Sequence, residues 1–404
     1  MHTQPAPNFE QDGTGRAAAD LIRACVHCGF CTAACPTYRI LGDERDSPRG
    51  RIYLLKDLFE EGAVTAATRR HLDRCLSCRA CETACPSGVQ YGRLADLGRA
   101  AIEAGGGRPW GQRVARAALR NALSRPRLFA MLLTLGRAAR PLLPDRWKRL
   151  VPPARAAGPW PAPRHDRVML APTGCVQPAV LPAIDAAAAR ILDTLGITLV
   201  AVDTGCCGAL GHHLGATDEA RDRMRRTIDS CWPHIERGAE AILVTASGCG
   251  AVIKEYGHLL ADDPQYAARA ARVAELARDP VEVLETAVAH LAPPRWRRVA
   301  FQAPCSLQHG QKLAGRVEAL LAAAGVELTA LDEPDLCCGA GGANALLQPA
   351  IAAALAERKI ADLTRDGPEA ILTANIGCLL HLSGHGRAPV HHWLATFDPF
   401  SEKE

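Results

Sequence analysis

From residue 167 onward, short apolar runs alternate with longer alanine-rich stretches. The runs are Arg167-Val-Met-Leu-Ala171, Ile197-Thr-Leu-Val-Ala-Val202 and Ala241-Ile-Leu-Val-Thr245, then Arg298-Val-Ala-Phe301, Val326-Glu-Leu-Thr-Ala-Leu331 and Ala370-Ile-Leu-Thr373. Each is four to six residues long, which predicts buried strands. The stretches between them, such as 180–195 and 350–364, read as helix. Strands that alternate with helices predict a parallel sheet, and such sheets build their sites at the carboxyl ends of the strands. A cysteine follows every one of the six runs within a few residues. Upstream of residue 106 the pattern is helical instead. Ser47 suits an N-cap, Pro48 the first helical position and Gly62 the stop, which predicts a helix over 48–61. The longest uninterrupted apolar candidate, 128–135, is less than half the ~18 residues needed to span a bilayer.

The cysteines of the strand-rich region repeat. Cys175, Cys206-Cys207-Gly208 and Cys249 return as Cys305, Cys337-Cys338-Gly339 and Cys378, offset by 130, 131 and 129 residues. The same words at the same spacing imply a duplication, with four thiols brought to one sheet edge in each copy. Adjacent cysteines cannot both face one interior, so core packing is a poor account of them. Cys231 falls outside the repeat and reads as a buried hydrophobe.

A second repeat lies in the helical region. Cys25-x2-Cys28-x2-Cys31-x3-Cys35-Pro36 recurs as Cys75-x2-Cys78-x2-Cys81-x3-Cys85-Pro86. This is the ligand spacing of cubane iron–sulfur clusters, where three thiolates wrap one corner and the fourth crosses to the neighbouring cluster. It assigns Cys25, Cys28, Cys31 and Cys85 to one [4Fe–4S] cluster and Cys35, Cys75, Cys78 and Cys81 to another. Zinc ribbons use two pairs, four cysteines rather than eight. Each proline is expected to keep its loop from turning helical. Arg45, Arg49 and Arg51 either balance cluster charge or form a solvated basic face. His27 reads as a surface or supporting residue.

Composition adds two points. The chain has 404 residues, 17 cysteines, 48% hydrophobic and 22% charged residues. Disulfide frameworks belong to short secreted chains, and the first ten residues show neither basic nor apolar leader character. Reduced or metal-bound thiols in the cytoplasm are expected. Net charge is only +4, yet residues 106–160 hold twelve basic residues against the single acid Asp145. With Trp110, Trp147 and Trp160 interleaved, this connector suits an anionic membrane surface, an acidic partner subunit or plain solvent. Nucleic acid is not expected. The Gly339–Asn344 stretch fails dinucleotide-binding spacing and reads as a tight turn into a helix. No general-base constellation for a hydroxy acid is visible.

The Cys-Cys-Gly words at 206–208 and 337–339 resemble the duplicated CCG (cysteine-rich) domain of heterodisulfide-reductase-like proteins. The phrases Gly174-Cys175-Val-Gln-Pro178, Ala246-Ser-Gly-Cys249-Gly250, His309 with Gln311-Lys312-Leu313, and Thr373-Ala-Asn-Ile-Gly-Cys378 resemble the iron–sulfur subunits of glycolate oxidase. The resemblance implies an α+β multidomain chain: an α-helical ferredoxin domain over 17–105, a basic helical connector over 106–164, and CCG domains over 165–292 and 296–395. It implies electron transfer from FAD-bearing partner subunits, which oxidise glycolate, to a quinone-like acceptor; the basic connector would in that case suit peripheral association with the cytoplasmic face of the inner membrane. The iron–sulfur subunit of anaerobic glycerol-3-phosphate dehydrogenase and a heterodisulfide-reductase-like thiol/disulfide oxidoreductase share the architecture. The fullest CCG pattern has a fifth cysteine, where this chain has Ala246 and Asn375. A further iron–sulfur centre, redox-active thiols and a structural relic all stay open for the eight CCG cysteines. His212, His213, His258, His309 and His381 lie near them in sequence.

Overall fold

The computed structural model describes residues 1–10, 13–106, 108–144, 148, 151–385 and 388–400. Asp145, Arg146, Trp147 and Arg149 of the connector therefore lie outside the described residues.

Helices Thr14–Arg23, Pro48–Glu61, Ala66–Asp73 and Tyr91–Ala104 form the amino-terminal module. Ala18, Ile22, Leu55, Leu58, Leu72, Leu94 and Ile102 pack between them. The central helix begins and ends as its sequence predicts. The Ser47 hydroxyl accepts from the Gly50 amide at 3.0 Å, and Gly62 closes it with φ 71°. Gly98 lets the helices approach closely: a Cβ there would lie 2.1 Å from Leu55 Cδ2, so Leu55 would have to move.

The remainder holds two four-stranded parallel sheets. β1 (Arg167–Pro172), β2 (Ile197–Val202), β3 (Ala241–Leu243) and β4 (Ala277–Arg278) run in the order β2-β1-β3-β4. β5 (Arg298–Gln302), β6 (Glu327–Leu328), β7 (Ala370–Thr373) and β8 (Val390–His392) repeat it as β6-β5-β7-β8. Met169, Leu243, Val299, Phe301 and Leu372 share one core, so the two copies bury their facing surfaces against each other.

Four elements differ from the hydrophobic pattern. The helix expected over 180–195 splits, because Pro182 has no amide to donate and holds Leu181 out of the helical region; the long piece is Ala183–Thr194. The strand expected over 326–331 shrinks to Glu327–Leu328, and the Ala330 carbonyl accepts from Arg365 at 3.1 Å instead. The fourth strands, two and three residues long, are too short to carry a period.

Trp110–Ser124 and Pro126–Ala139 form the connector. Much of its positive charge is consumed internally. Arg108 and Arg116 converge on Asp73 and Glu103, Arg120 pairs with Glu219 at 2.9 Å, and Arg137 and Arg140 donate to the carbonyls of Pro152 and Val151. Its outward face carries Trp110, Met131, Leu132, Leu135 and Leu142 instead. Among the described residues no helix is long and apolar enough to cross a membrane.

Candidate metal centres

The two Cys-x2-Cys-x2-Cys loops adopt the same backbone. His27 (φ 57°) and Gly29 (φ 88°) match Ser77 (φ 53°) and Arg79 (φ 61°). Three of these four are not glycine, so the left-handed turns are held against a conformational cost of about 1 kcal/mol or more each. Each fourth cysteine crosses over. Cys25, Cys28, Cys31 and Cys85 line one small cavity, Cys35, Cys75 and Cys78 line a second, and Cys81 lies between, lining both.

The proline expectation holds for only one block. Pro86 sits in a turn, but Pro36 opens helix Pro36–Leu41 at its first position. Cys35 is extended (ψ 114°), as a residue before proline must be, and this points its backbone out of the loop.

The three arginines separate. Arg51 is 1% exposed; it donates to the His71 carbonyl at 2.7 Å and to Thr37 at 3.1 Å, pairs with buried Asp46 at 3.3 Å, and lies 3.8 Å from the Cys35 sulfur. Arg49 pairs with Glu44 at 2.7 Å, and its backbone amide meets the Cys31 sulfur. Arg45 is exposed and pairs with Asp43. The first therefore serves the second loop, the second serves the first loop, and the third is solvated surface.

Sequence reasoning missed Arg99 and Tyr91. Arg99 is buried and donates to the Cys75 carbonyl at 2.9 Å and to Ser77 Oγ at 2.7 Å; the Tyr91 hydroxyl donates to Cys75 Sγ at 3.7 Å. Both sit on the Tyr91–Ala104 helix, whose sequence carries no cysteine to draw notice. Burial pushes the Cys75 thiol up, but Arg51 and Arg99 more than offset it and hold the thiol below its ordinary value. Burial drives Cys78 and Cys81 well above theirs and Cys31 to about 11. Mostly buried thiols sharing small cavities beside cations are the donor set an iron–sulfur cluster requires, since the metal supplies the positive charge that deprotonates them.

The CCG cysteines also converge. Side-chain contacts link Cys175 to Cys206, Cys206 to Cys207 and Cys207 to Cys249. In the second copy Cys305 meets Cys337, Cys337 meets Cys338, and Cys338 Sγ lies 3.2 Å from Cys378 Sγ. Within the first chain of thiols, hydrogen bonds from Cys175 and Cys207 lower the Cys206 thiol, and the same contacts together with burial raise Cys175 and Cys207. Where the fullest pattern has a cysteine, Asn375 Nδ2 donates to Cys378 Sγ at 3.6 Å, while Ala246 offers nothing polar. Asn375 Oδ1 accepts from the Gly248 amide across the junction of the copies.

All eight face one cavity of about 1010 Å³, together with Cys78, Arg99, Leu132, Leu133, Asn344 and Leu346. Cys78 and Cys305 are close enough that each opposes the other's ionisation. Asn344 is 6% exposed and its Nδ2 has no hydrogen-bond partner. Nothing in the apolar-run pattern singles it out. Gly339 and Gly341 take the left-handed turns that lead into its short helix, as expected of that stretch. Cys231 is fully buried, and burial raises it to about 12.

The histidines divide: His213 and His381 line the same cavity as the CCG cysteines, and His212, His258 and His309 do not. His212 and His213 contact buried Asp96 at 3.1 and 3.4 Å, His309 Nδ1 faces Thr83 Oγ at 2.9 Å, and His381 Nε2 faces the Ala352 carbonyl at 3.1 Å. Burial lowers His258. His27 lies on the first loop with its ring 4.6 Å from that of Tyr53.

Comparison with known proteins follows this division. The 4Fe-4S dicluster domain matches residues 22–89, and the Cysteine-rich domain (CCG) matches residues 171–254 and 299–383. The Glycolate oxidase iron-sulfur subunit of Escherichia coli (strain K12) is 48% identical over 407 aligned positions, covering 100% of both chains. The chain belongs to the glycolate oxidase iron–sulfur subunit family. The Probable glycolate oxidase iron-sulfur subunit of Bacillus subtilis (strain 168) is 29% identical over 89% of this chain and 87% of its own. Lactate utilization protein A of Shouchella clausii (strain KSM-K16) is 28% identical over 44% of this chain and 74% of its own. As a member of the glycolate oxidase iron–sulfur subunit family, the protein is an iron–sulfur electron-transfer subunit whose helical module is a [4Fe–4S] dicluster domain.

Proposed function

We propose that this chain carries electrons from flavin-bearing partner subunits that oxidise glycolate to glyoxylate on to a quinone-like acceptor. The observation that carries the reading is the continuous line of thiols: the first loop, the second loop, and the CCG cavity that begins at Cys78 and Cys305. A cubane cluster gives and takes one electron at a time and moves no hydride. Cys25, Cys28, Cys31 and Cys85 hold the first; Cys35, Cys75, Cys78 and Cys81 hold the second. Arg51 and Arg99 offset charge at the second, and the hydroxyl of Tyr91 orients Cys75. The domain division proposed with this reading is 17–105, 106–164, 165–292 and 296–395.

The CCG thiols extend the line. Four sulfurs per copy, contacting one another in sequence, largely buried and facing one cavity, favour a further iron–sulfur centre over inert packing. Asn344, with its unpaired amide, donates to a carbonyl oxygen of the acceptor in that cavity, because a buried donor left unpaired costs about 1–3 kcal/mol. The exposed Trp110, Met131, Leu135 and Leu142 support peripheral membrane attachment through the connector; flotation with anionic liposomes tests it, and loss of flotation in Leu135→Asp is the expected result. Anaerobic purification of the chain with its partners, followed by dye reduction, tests the main reading. Glycolate should bleach the dye and glycerol 3-phosphate should not. Activity of the isolated chain on a disulfide would replace this reading with a thiol/disulfide oxidoreductase.

A further inference from the structure

The two cysteine loops share a backbone but not an environment. Fifty residues separate their equivalent positions, so Val26 corresponds to Leu76 and Phe30 to Ala80. Leu76 and Ala80 are each only 5% exposed. Leu76 packs against Leu336, Ile351 and Leu355 of the second CCG copy. The same junction is pinned by Arg39 with Glu333 and by Thr83 with His309, and Arg79 with Glu255 ties the loop to the first copy as well. The chain thus covers its second loop with its own domain.

Among the described residues the equivalent positions of the first loop stay uncovered, although the Met1 amino group reaches the Cys25 carbonyl at 3.2 Å. Val26 is 67% exposed and Phe30 66%, with Tyr53 beside them at 51%. Between them Cys28, one of the expected ligands, is itself exposed. Large apolar side chains around an exposed metal-binding thiol form the apolar centre of an interface rather than an ordinary loop tip. The face is convex. A small molecule needs a concave site, and the chain already has one at the other end of its line of thiols. A protein suits a face.

We propose that the face made by Val26, Phe30 and Tyr53 around Cys28 is the docking surface for the flavin-bearing, electron-donating subunit. The inference rests on the reading given under Proposed function, and it adds a direction. Electrons enter at Cys28, pass to the second loop at Cys78, and leave through the cavity. The domain that seals Leu76 is the chain's own equivalent of the partner that seals Val26.

The test uses the full chain co-expressed with its flavoprotein subunits and purified without oxygen. Val26→Asp/Phe30→Asp is compared with Met131→Asp/Leu135→Asp, which alters a different exposed apolar patch. Flavin content after size exclusion reports assembly, and EPR of dithionite-reduced samples reports the clusters. The expected result is a loss of bound flavoprotein of about tenfold or more in Val26→Asp/Phe30→Asp, with both cluster signals retained and with the connector variant assembling normally. If that variant keeps full flavin content, or the connector variant loses it instead, the proposal is overturned. A wild-type preparation that binds no flavoprotein overturns it as well. A wild-type complex that binds flavoprotein but ignores glycolate refutes only the substrate, and the docking comparison still decides the surface.

Discussion

Arg51 places a full positive charge beside the second set of thiols without exposure to solvent. Its guanidinium lies 3.8 Å from the Cys35 sulfur and is held by the His71 carbonyl, Thr37 and Asp46. Replacing it with methionine removes the charge and keeps much of the volume. At an effective dielectric of ~20, one charge at that distance is worth ~4 kcal/mol. The added electron is shared over a whole cluster, and Asp46 draws off part of the field, so about half remains, ~2 kcal/mol. For a one-electron couple this is on the order of 80 mV. The sign follows from charge: without the cation the extra electron is less welcome, so the reduction potential of the second cluster falls. Folding also suffers. Asp46 is left with His71 at 2.9 Å and Arg74 at 2.8 Å, and breaking the buried pair costs about 3 kcal/mol. EPR-monitored potentiometric titration of wild type, Arg51→Met and Arg51→Lys measures the shift. Lysine should restore at least half of it, because the charge returns without the planar fork. The reasoning is refuted if Arg51→Met retains both clusters and leaves the second potential in place, or shifts both clusters equally.

Other consequences are as direct. Burial raises the Asp185 carboxyl from 3.8 to about 6, while Gln177 and Thr245 both donate to its Oδ1, at 2.8 and 2.5 Å. The folded state therefore holds its proton where the unfolded chain has lost it, and stability falls as pH rises from about 4 to 6, by ~3 kcal/mol in all. Asp185→Asn keeps the accepting oxygen and should raise the unfolding midpoint at pH 8 but not at pH 4; equal gains at both would contradict this. Asn344→Leu should raise the KM for an apolar carbonyl-bearing acceptor about tenfold, with cluster EPR unchanged, and an unaltered KM would remove Asn344 from the acceptor site. Two cubanes account for eight irons per chain, so anaerobic iron analysis should exceed eight clearly, and Cys249→Ser should lower it. A value of eight in both would leave the CCG thiols without metal.

The eight amino-terminal cysteines and the duplicated sheet were legible because their signals are local: fixed spacing in one case, repeated strand-then-cysteine words in the other. The Ser47–Gly62 helix was legible for the same reason, since capping is decided within a few residues. The roles of Arg49 and Arg51 were not. One lies against a loop and the other inside it, and helical phase alone does not reveal which side of Pro48–Glu61 the thiols occupy. Arg99, Tyr91 and Asn344 depend on tertiary approach and leave no mark in spacing. The connector was legible only in part: its twelve basic residues left membrane, partner and solvent open, and spacing could not show that Arg108, Arg116 and Arg120 find acids 35 to 99 residues away.

Crossed ligation is the premise beneath the whole route, and Cys85→Ser tests it most directly. Reduced EPR spectra and iron content are compared with wild type and with Cys35→Ser. In Cys85→Ser the signal of the cluster held by Cys25, Cys28 and Cys31 should be lost or altered while that of Cys75, Cys78 and Cys81 persists, and Cys35→Ser should do the reverse. If Cys85→Ser instead abolishes the signal belonging to its own block, the two cages are not interlaced and the account fails.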